Sequence, residues 1–338
     1  MGILIVNPNP IFDRTISVVE LVPGAVIRAL DVELTAGGKG VNVARVLRAL
    51  GRPAPLLIPV GVDDLDRYTN LLTREGAQFA SVSVPGGVRT ASIYLEQASD
   101  RVTVVNDAGF PMSAADWSRV CAEVRIQVRE GDVVLCMGSF PPGLGPGALE
   151  ELIDTVHVRG GRILLDTAPE WLAAALAHHP DVVTPNLDEA EALLAAADAH
   201  VMQSHELDAE TIRPRAEAAA RELVRRGAVR AFVTGGAAGV AMAHADEVQW
   251  LPAFPVQAVS TVGAGDSFVA GLAAEWSRGA TADREVDWLR ALRLGIASAA
   301  ASVEVVRAGG AQADRIDEIL KAMDARPIDA VDAARVAS

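Results

Sequence analysis

At 338 residues, half of them hydrophobic, the chain can bury a large core, and length alone suggests about two domains. Its 44 acidic residues outnumber 30 basic ones, for a net charge of −14. That surplus argues against nucleic acids and anionic membranes as partners, because both require clustered positive charge.

Short apolar runs alternate with longer helical patterns, which predicts a mostly parallel sheet covered by helices. The run Ile3 to Val6 reads as the first strand. The opening MGILIVNP lacks a basic region followed by a cleavage site, and no window nears the ~18 apolar residues of a membrane span, so a cytoplasmic protein is expected. Residues 13 to 36 have strand character without a helix, as do residues 85 to 106, and together they predict a small separate sheet. Between them come a helical pattern at Asn42 to Leu50, stopped by Gly51, and a strand at Leu56 to Val60. Then follow a helix over Ala115 to Arg129, a strand over Val133 to Cys136, a helix over Ala148 to Val158, and strands at Ile163 to Leu165 and Val182 to Thr184. Cys121 and Cys136 have no metal-ligand spacing and read as buried free thiols. A helix at Asp188 to Ala197 precedes a polar excursion reaching Glu210. A helix at Arg215 to Arg226, a strand at Val229 to Val233 and a helix at Ser267 to Arg278 complete the alternation. Residues 326 to 338 lack a sustained apolar face and read as a tail. None of the six histidines stands at metal-ligand spacing from a cysteine or carboxylate.

Two glycine-rich turns carry the chemistry. In STVGAGDSFVAGL, residues 260 to 272, Gly263 and Gly265 leave the backbone open to an anion, and the helix opening there supplies unpaired N–H donors. Asp266 stands in the first turn, where a carboxylate can serve as a base beside a phosphate. Taken alone, the segment is equally an acidic residue after a glycine turn. In AGGKGVNVARVLRALG, residues 36 to 51, Gly37, Gly38 and Gly40 surround Lys39, and all the other basic residues except Lys321 are arginines. A compact ammonium fits where a guanidinium is too wide. Asn42 could bond a ligand or face solvent. The glycines lack the G-x-G-x-x-G spacing of a dinucleotide fold after the first strand.

Together these segments resemble the signatures of the PfkB (ribokinase-like) family of carbohydrate kinases. Matching segments follow in order: NPNPIFDRT (Asn7 to Thr15), GSFPPGL (Gly138 to Leu144), LLDTAPEWL (Leu164 to Leu172), TPNLDEAEALL (Thr184 to Leu194) and VTGGAAGVAM (Val233 to Met242). The first is similar to the opening of the branch that phosphorylates sugar phosphates. The resemblance implies a three-layer α/β fold over residues 1 to 325, with the small sheet as a lid over the sugar. It also implies ATP-dependent phosphorylation of a sugar hydroxyl with Mg2+, on a ketohexose monophosphate such as fructose 1-phosphate or tagatose 6-phosphate. A kinase of an unphosphorylated sugar or nucleoside, and a binding protein of the same fold without catalysis, are the alternatives.

The residue roles follow from the same resemblance. Asp266 is the general base, and the N–H groups of Ala264, Gly265 and Asp266 meet the transferring oxygens. Asp13, placed at the end of the first strand, bonds sugar hydroxyls with Gly38, Asn42 and Lys39, while Ser139 and the lid residue Arg89 complete the acceptor site. Ala91 stands where that branch usually has asparagine, and Thr184 where it commonly has lysine. Thr234, Gly236 and Gly239 line the ATP site, and the small residues Ala297 to Ser302 either admit a flat ring or mark close helix packing. Asn186 and Glu189 match a motif linked to metal and phosphate through water. Their N-x-x-E spacing is equally a helix capping box. Exposed strand edges on the lid favour pairing of two copies.

Overall fold

The computed structural model describes residues 2–99, 101–194, 207–279 and 286–325. In chain order the strands are β1 (Ile3–Val6), β2 (Ile11–Val18), β3 (Asp31–Gly37), β4 (Leu56–Gly61), β5 (Phe79–Val84), β6 (Arg89–Glu96), β7 (Val102–Asn106), β8 (Val133–Met137), β9 (Arg162–Asp166), β10 (Val182–Val183), β11 (Arg230–Thr234), β12 (Gly239–His244) and β13 (Glu247–Pro252). The helices are α1 (Lys39–Ala49), α2 (Leu65–Arg74), α3 (Ala114–Gln127), α4 (Gly147–Val158), α5 (Pro169–Ala175), α6 (Leu187–Leu194), α7 (Ala209–Arg225), α8 (Ala264–Gly279), α9 (Trp288–Val303) and α10 (Ala313–Asp324).

Nine strands form one sheet in the order β13-β12-β11-β10-β9-β8-β1-β4-β5. The strands from β11 to β5 run parallel, and the β12–β13 hairpin closes one edge antiparallel. Alternation within each strand sorts side chains to two faces. Ile3, Ile5, Val133 and Leu135 join a core with α1, α8, α9 and α10, whereas Leu4, Val6, Val134 and Cys136 join one with α3, α4, α6 and α7. Both faces are covered, which is why the central strands read as unbroken apolar runs rather than alternating ones. Both cysteines are buried and free. No helix among the described residues is long and apolar enough to cross a membrane.

The second sheet has four strands in the order β3-β2-β6-β7. Its β2–β6 pair is parallel and the outer pairs are antiparallel, with Ile11 opposite both Gly37 and Arg89 and with Ala91 opposite Asn106. That register brings all four strands into or out of the sheet at the same end, next to the larger sheet. The sheet starts at Ile11, so Asp13 belongs to β2 rather than to the end of the first strand as the sequence suggested. Buried Asn7 and Asn9 alternate with two prolines in the short link that turns the chain from one sheet to the other.

Several elements escaped the sequence reading. The β12–β13 hairpin, β5, α2, α5 and α10 received no assignment, and α9 was noticed only as a run of small residues. α7 begins at Ala209, ahead of the expected Arg215. Asp208 caps it by accepting the Thr211 N–H at 2.8 Å, and Pro214 lies inside it, where a proline suggests a boundary. The expected end of the helix at 195–197, most of the polar excursion and the tail at 326–338 lie outside the described residues.

Candidate active site

The residues singled out from sequence converge at the carboxyl ends of the parallel strands, where open α/β sheets bind ligands. Gly263, at φ 82°, turns the chain into α8, and a Cβ there would lie 2.9 Å from Ala308. Ser267 closes the first turn by donating its N–H to the Gly263 carbonyl at 3.0 Å. No acceptor among the described residues takes the N–H of Gly265 or of Asp266. A Cβ on Gly265 would meet nothing within 4 Å, so open space faces these donors. The Ala264 N–H differs from the expectation, because it donates to the Thr261 carbonyl at 3.3 Å.

Asp266 is only 5% exposed. Asn42, on α1, donates its Nδ2 to the Asp266 Oδ2 at 2.8 Å. Burial pushes the carboxyl up to about 7, helped by the neighbouring Asp166 charge and opposed by Lys39 and the Asn42 bond. Lys39 itself pairs with Asp166, Nζ to Oδ1 at 2.6 Å, and the attraction of that carboxylate raises the lysine above its ordinary range. Gly38, at φ 112°, makes the turn before Lys39, and a Cβ on it would lie 2.8 Å from the Asn7 amide.

From the small sheet, Asp13 faces the same space. Its carboxyl is pushed up to about 6 by burial, against the pull of Arg45 and Arg89. A Cβ on Gly37 would lie 2.2 Å from the Asp13 carboxylate, so glycine is what gives that carboxylate its place. Arg89, at the start of β6, donates from Nη2 to the Asn9 carbonyl at 3.2 Å and to Ser139 Oγ at 3.3 Å. Its buried Nε has no partner among the described residues, and burial lowers the guanidinium's pKa.

Asn186 and Glu189 make the reciprocal capping bonds of α6. The Asn186 N–H donates to Glu189 Oε2 at 2.9 Å, and the Glu189 N–H donates to Asn186 Oδ1 at 2.8 Å. The capping alternative is therefore realised, with Glu189 Oε1 outside these two bonds. Burial raises the Glu189 carboxyl, and the charges of Lys39 and Asp166 act on it, which brings it into the same electrostatic neighbourhood. Asp166, Asp266 and Glu189 thus share the single ammonium of Lys39, and this surplus of negative charge suits a divalent cation. No trio of His, Cys, Asp or Glu among the described residues could by itself hold a metal.

Thr234 ends β11, bridges to Asn186 and donates its N–H to the Pro185 carbonyl at 3.1 Å. The turn beyond it uses Gly236 at φ 56° and Gly239 at φ 144°, where a Cβ would lie 2.4 Å from the Leu251 carbonyl. The small residues of α9 pack against α8: a Cβ on Gly271 would strike the Leu294 carbonyl at 2.4 Å and Ser298 Oγ at 2.6 Å. Close helix packing is what the structure shows at Leu294 and Ser298.

Sequence reasoning missed Asp166 as an individual residue, although the quoted LLDTAP segment contains it. The available signal was its position as the acidic last residue of an apolar strand. Arg45, which ties Asn42 to the rest of α1's surroundings, was missed as well.

Comparison with known proteins places the chain among its relatives. The chain is 33% identical to 1-phosphofructokinase of Rhodobacter capsulatus over 80% of its own length and 83% of that protein's. It is 32% identical to 1-phosphofructokinase of Haloferax volcanii over 94% of its length and 95% of the relative's. Its fold superposes on Escherichia coli phosphofructokinase-2 in complex with fructose-6-phosphate with a TM-score of 0.82 at 24% identity, covering 96% of this chain and 99% of that one. The family model described as pfkB family carbohydrate kinase matches residues 7–314, and the chain therefore belongs to that family of ATP-dependent sugar kinases.

Proposed function

We propose that this kinase transfers the γ-phosphoryl group of ATP to the free primary hydroxyl of fructose 1-phosphate, with Asp266 as the general base. One observation carries the reading. A buried carboxylate, oriented by an amide, stands in the first turn of a helix whose N–H groups of Gly265 and Asp266 have no acceptor among the described residues. The relatives' shared name, 1-phosphofructokinase, supports the choice of sugar.

Phosphoryl transfer asks mainly for positioning and charge neutralisation. The hydroxyl proton passes to Asp266 Oδ1, since Oδ2 holds the Asn42 bond. The alcohol oxygen bonds to the γ-phosphorus as the bridging bond to ADP breaks, and the two free N–H groups stabilise the charge on the transferring oxygens. Asp13 bonds the sugar hydroxyls, with Gly38 beside them in the turn that opens α1 against Asn7. Arg89, held by Asn9 and Ser139, meets the phosphate already on the sugar with its guanidinium, and Lys39 supplies positive charge between acceptor and donor. Thr234, Gly236 and Gly239 line the nucleotide side. Mg2+ would fit the carboxylate surplus and would neutralise phosphate charge, with Glu189 as the residue that would hold it through water.

The reaction belongs in the cytoplasm. Two copies pair through the lid, whose β7 exposes Val102, Val104 and Val105. The test is ADP release with fructose 1-phosphate, fructose 6-phosphate, tagatose 6-phosphate and fructose as acceptors. The highest kcat/KM with fructose 1-phosphate, giving a bisphosphate, supports the reading; a free sugar as best substrate refutes it.

A further inference from the structure

Asn42 and Arg45 lie one turn apart on α1 and touch. The Arg45 guanidinium is almost fully enclosed, its side chain 7% exposed. Its Nε and Nη2 grip both oxygens of Glu75, at 2.8 and 2.9 Å. Nη2 also donates to the Ala36 carbonyl at 2.7 Å, just before the glycine turn, and Nη1 donates to Asn42 Oδ1 at 2.9 Å. Arg307 donates to the same Glu75 Oε1 as Arg45 Nη2, at 2.8 Å.

A guanidinium can only donate, so Asn42 has to turn its oxygen toward Arg45. The amide nitrogen is then left facing Asp266. The opposite orientation would set N–H against N–H on one side and oxygen against carboxylate on the other. We infer that Arg45 is a positioning residue, fixing the direction of the Asn42 amide and through it the orientation of the Asp266 carboxylate. The inference rests on the reading of Asp266 as the base. Its chemical consequence concerns protonation. A donor aimed at Asp266 favours the ionised carboxylate that can accept a proton, and an amide free to turn favours it less. The other charged groups bearing on Asp266 are Lys39 at the start of α1, Asp166 at the end of β9 and Asp13 from the lid. Arg45 also acts on Asp13 directly, so the test has to separate the two routes.

The test measures kcat against pH for Arg45→Lys and Arg45→Met, each alone and in an Asn42→Ala background, with melting temperature recorded for all. Acting through Asn42, either Arg45 substitution lowers kcat at pH 7 by about tenfold and moves the acidic limb of the profile upward. Asn42→Ala reproduces that shift by itself, and adding an Arg45 substitution to it changes kcat by less than about twofold. Equal losses in both backgrounds would overturn the inference and place the effect on Asp13 or on the fold. A lower melting temperature with the acidic limb unmoved would overturn it too. Should Arg45→Met not fold, Arg45→Lys, which keeps the charge but cannot bridge three partners, decides alone. Asp266→Asn separates the two levels: an active Asn variant removes the base reading and this inference with it, whereas an inactive one beside an unmoved limb removes only the inference.

Discussion

Replacing Asp266 by asparagine removes the proton acceptor and keeps its shape. The Asn42 bond survives, because the new side chain still offers an oxygen to Nδ2. A positioned general base contributes roughly 10²- to 10⁴-fold, and kcat should fall by that factor while ATP binding persists. The same substitution acts on stability in the opposite direction. Burial raises the Asp266 carboxyl from 3.8 to about 7, so the folded protein binds its proton more tightly than the unfolded chain does. Stability from this group is complete below about pH 4 and is lost as pH rises to about 7, a loss on the order of 4 kcal/mol at 1.36 kcal/mol per pH unit. Asparagine has no such loss. The variant should therefore melt several degrees above the parent at pH 8, with the difference largely gone near pH 4.5. Coupled ADP release at saturating substrates and thermal unfolding at the two pH values measure both effects. Parental kcat/KM for the sugar falls as pH drops through about 7, because the base of the free enzyme is then protonated. An Asn variant within tenfold of the parent, or a parent profile flat from pH 5.5 to 8, would refute the assignment.

Three further outcomes follow from the geometry. Glu189→Gln keeps an oxygen for the Asn186 N–H, so the melting temperature stays put while the Mg2+ concentration for half-maximal activity rises; the reverse pattern would confine Glu189 to the cap. Arg89→Ala should reduce kcat/KM for fructose 1-phosphate by about 1.5–3 kcal/mol, the range for hydrogen bonds to charged groups, and hardly change that for fructose, whereas equal losses would give Arg89 a purely structural part. Gly37→Ala drives a methyl into the Asp13 carboxylate, so kcat/KM for the sugar should fall at least tenfold with KM for ATP unchanged, measured by varying each substrate in turn. An unaffected sugar kcat/KM would show that Asp13 does not contact the acceptor.

The central strands were legible because a doubly covered parallel strand leaves no room for polar residues, and Ile3–Val6 and Val133–Met137 are apolar throughout. The β12–β13 hairpin was not. β12 alternates small and large residues and β13 carries no clear pattern, the turn at Ala245 and Asp246 has no Asn-Gly or Gly-Gly signal, and Ala245 takes a positive φ of 49° without advertising it. Within the site, the glycine turns announced themselves through composition, and Asp266 through its place after one of them. Asn186 and Glu189 show where spacing stops informing, since one sequence pattern serves a cap and a ligand equally well. Asp166 and Arg45 were hidden for another reason. Their partners lie 127 residues away in one case and 30 in the other, and pairing at such separations is written in topology rather than in local pattern.

The small sheet is built as a cantilever. All four of its strands are rooted at one end, and the link Asn7-Pro8-Asn9-Pro10 that carries β2 is stiffened by two fixed φ angles and two buried asparagines. At about 3.3 Å per residue, the free end near Val18 and Glu96 projects roughly 25 Å from that root. A rocking motion of 5° would sweep the tip through about 2 Å but carry Asp13, two residues out, by only about 0.6 Å. Arg89, at the root itself, would move less still. The groups that must meet the sugar with sub-ångström accuracy therefore occupy the stillest part of the lever, and the tip is left free to change its sequence or lean on another molecule without disturbing them.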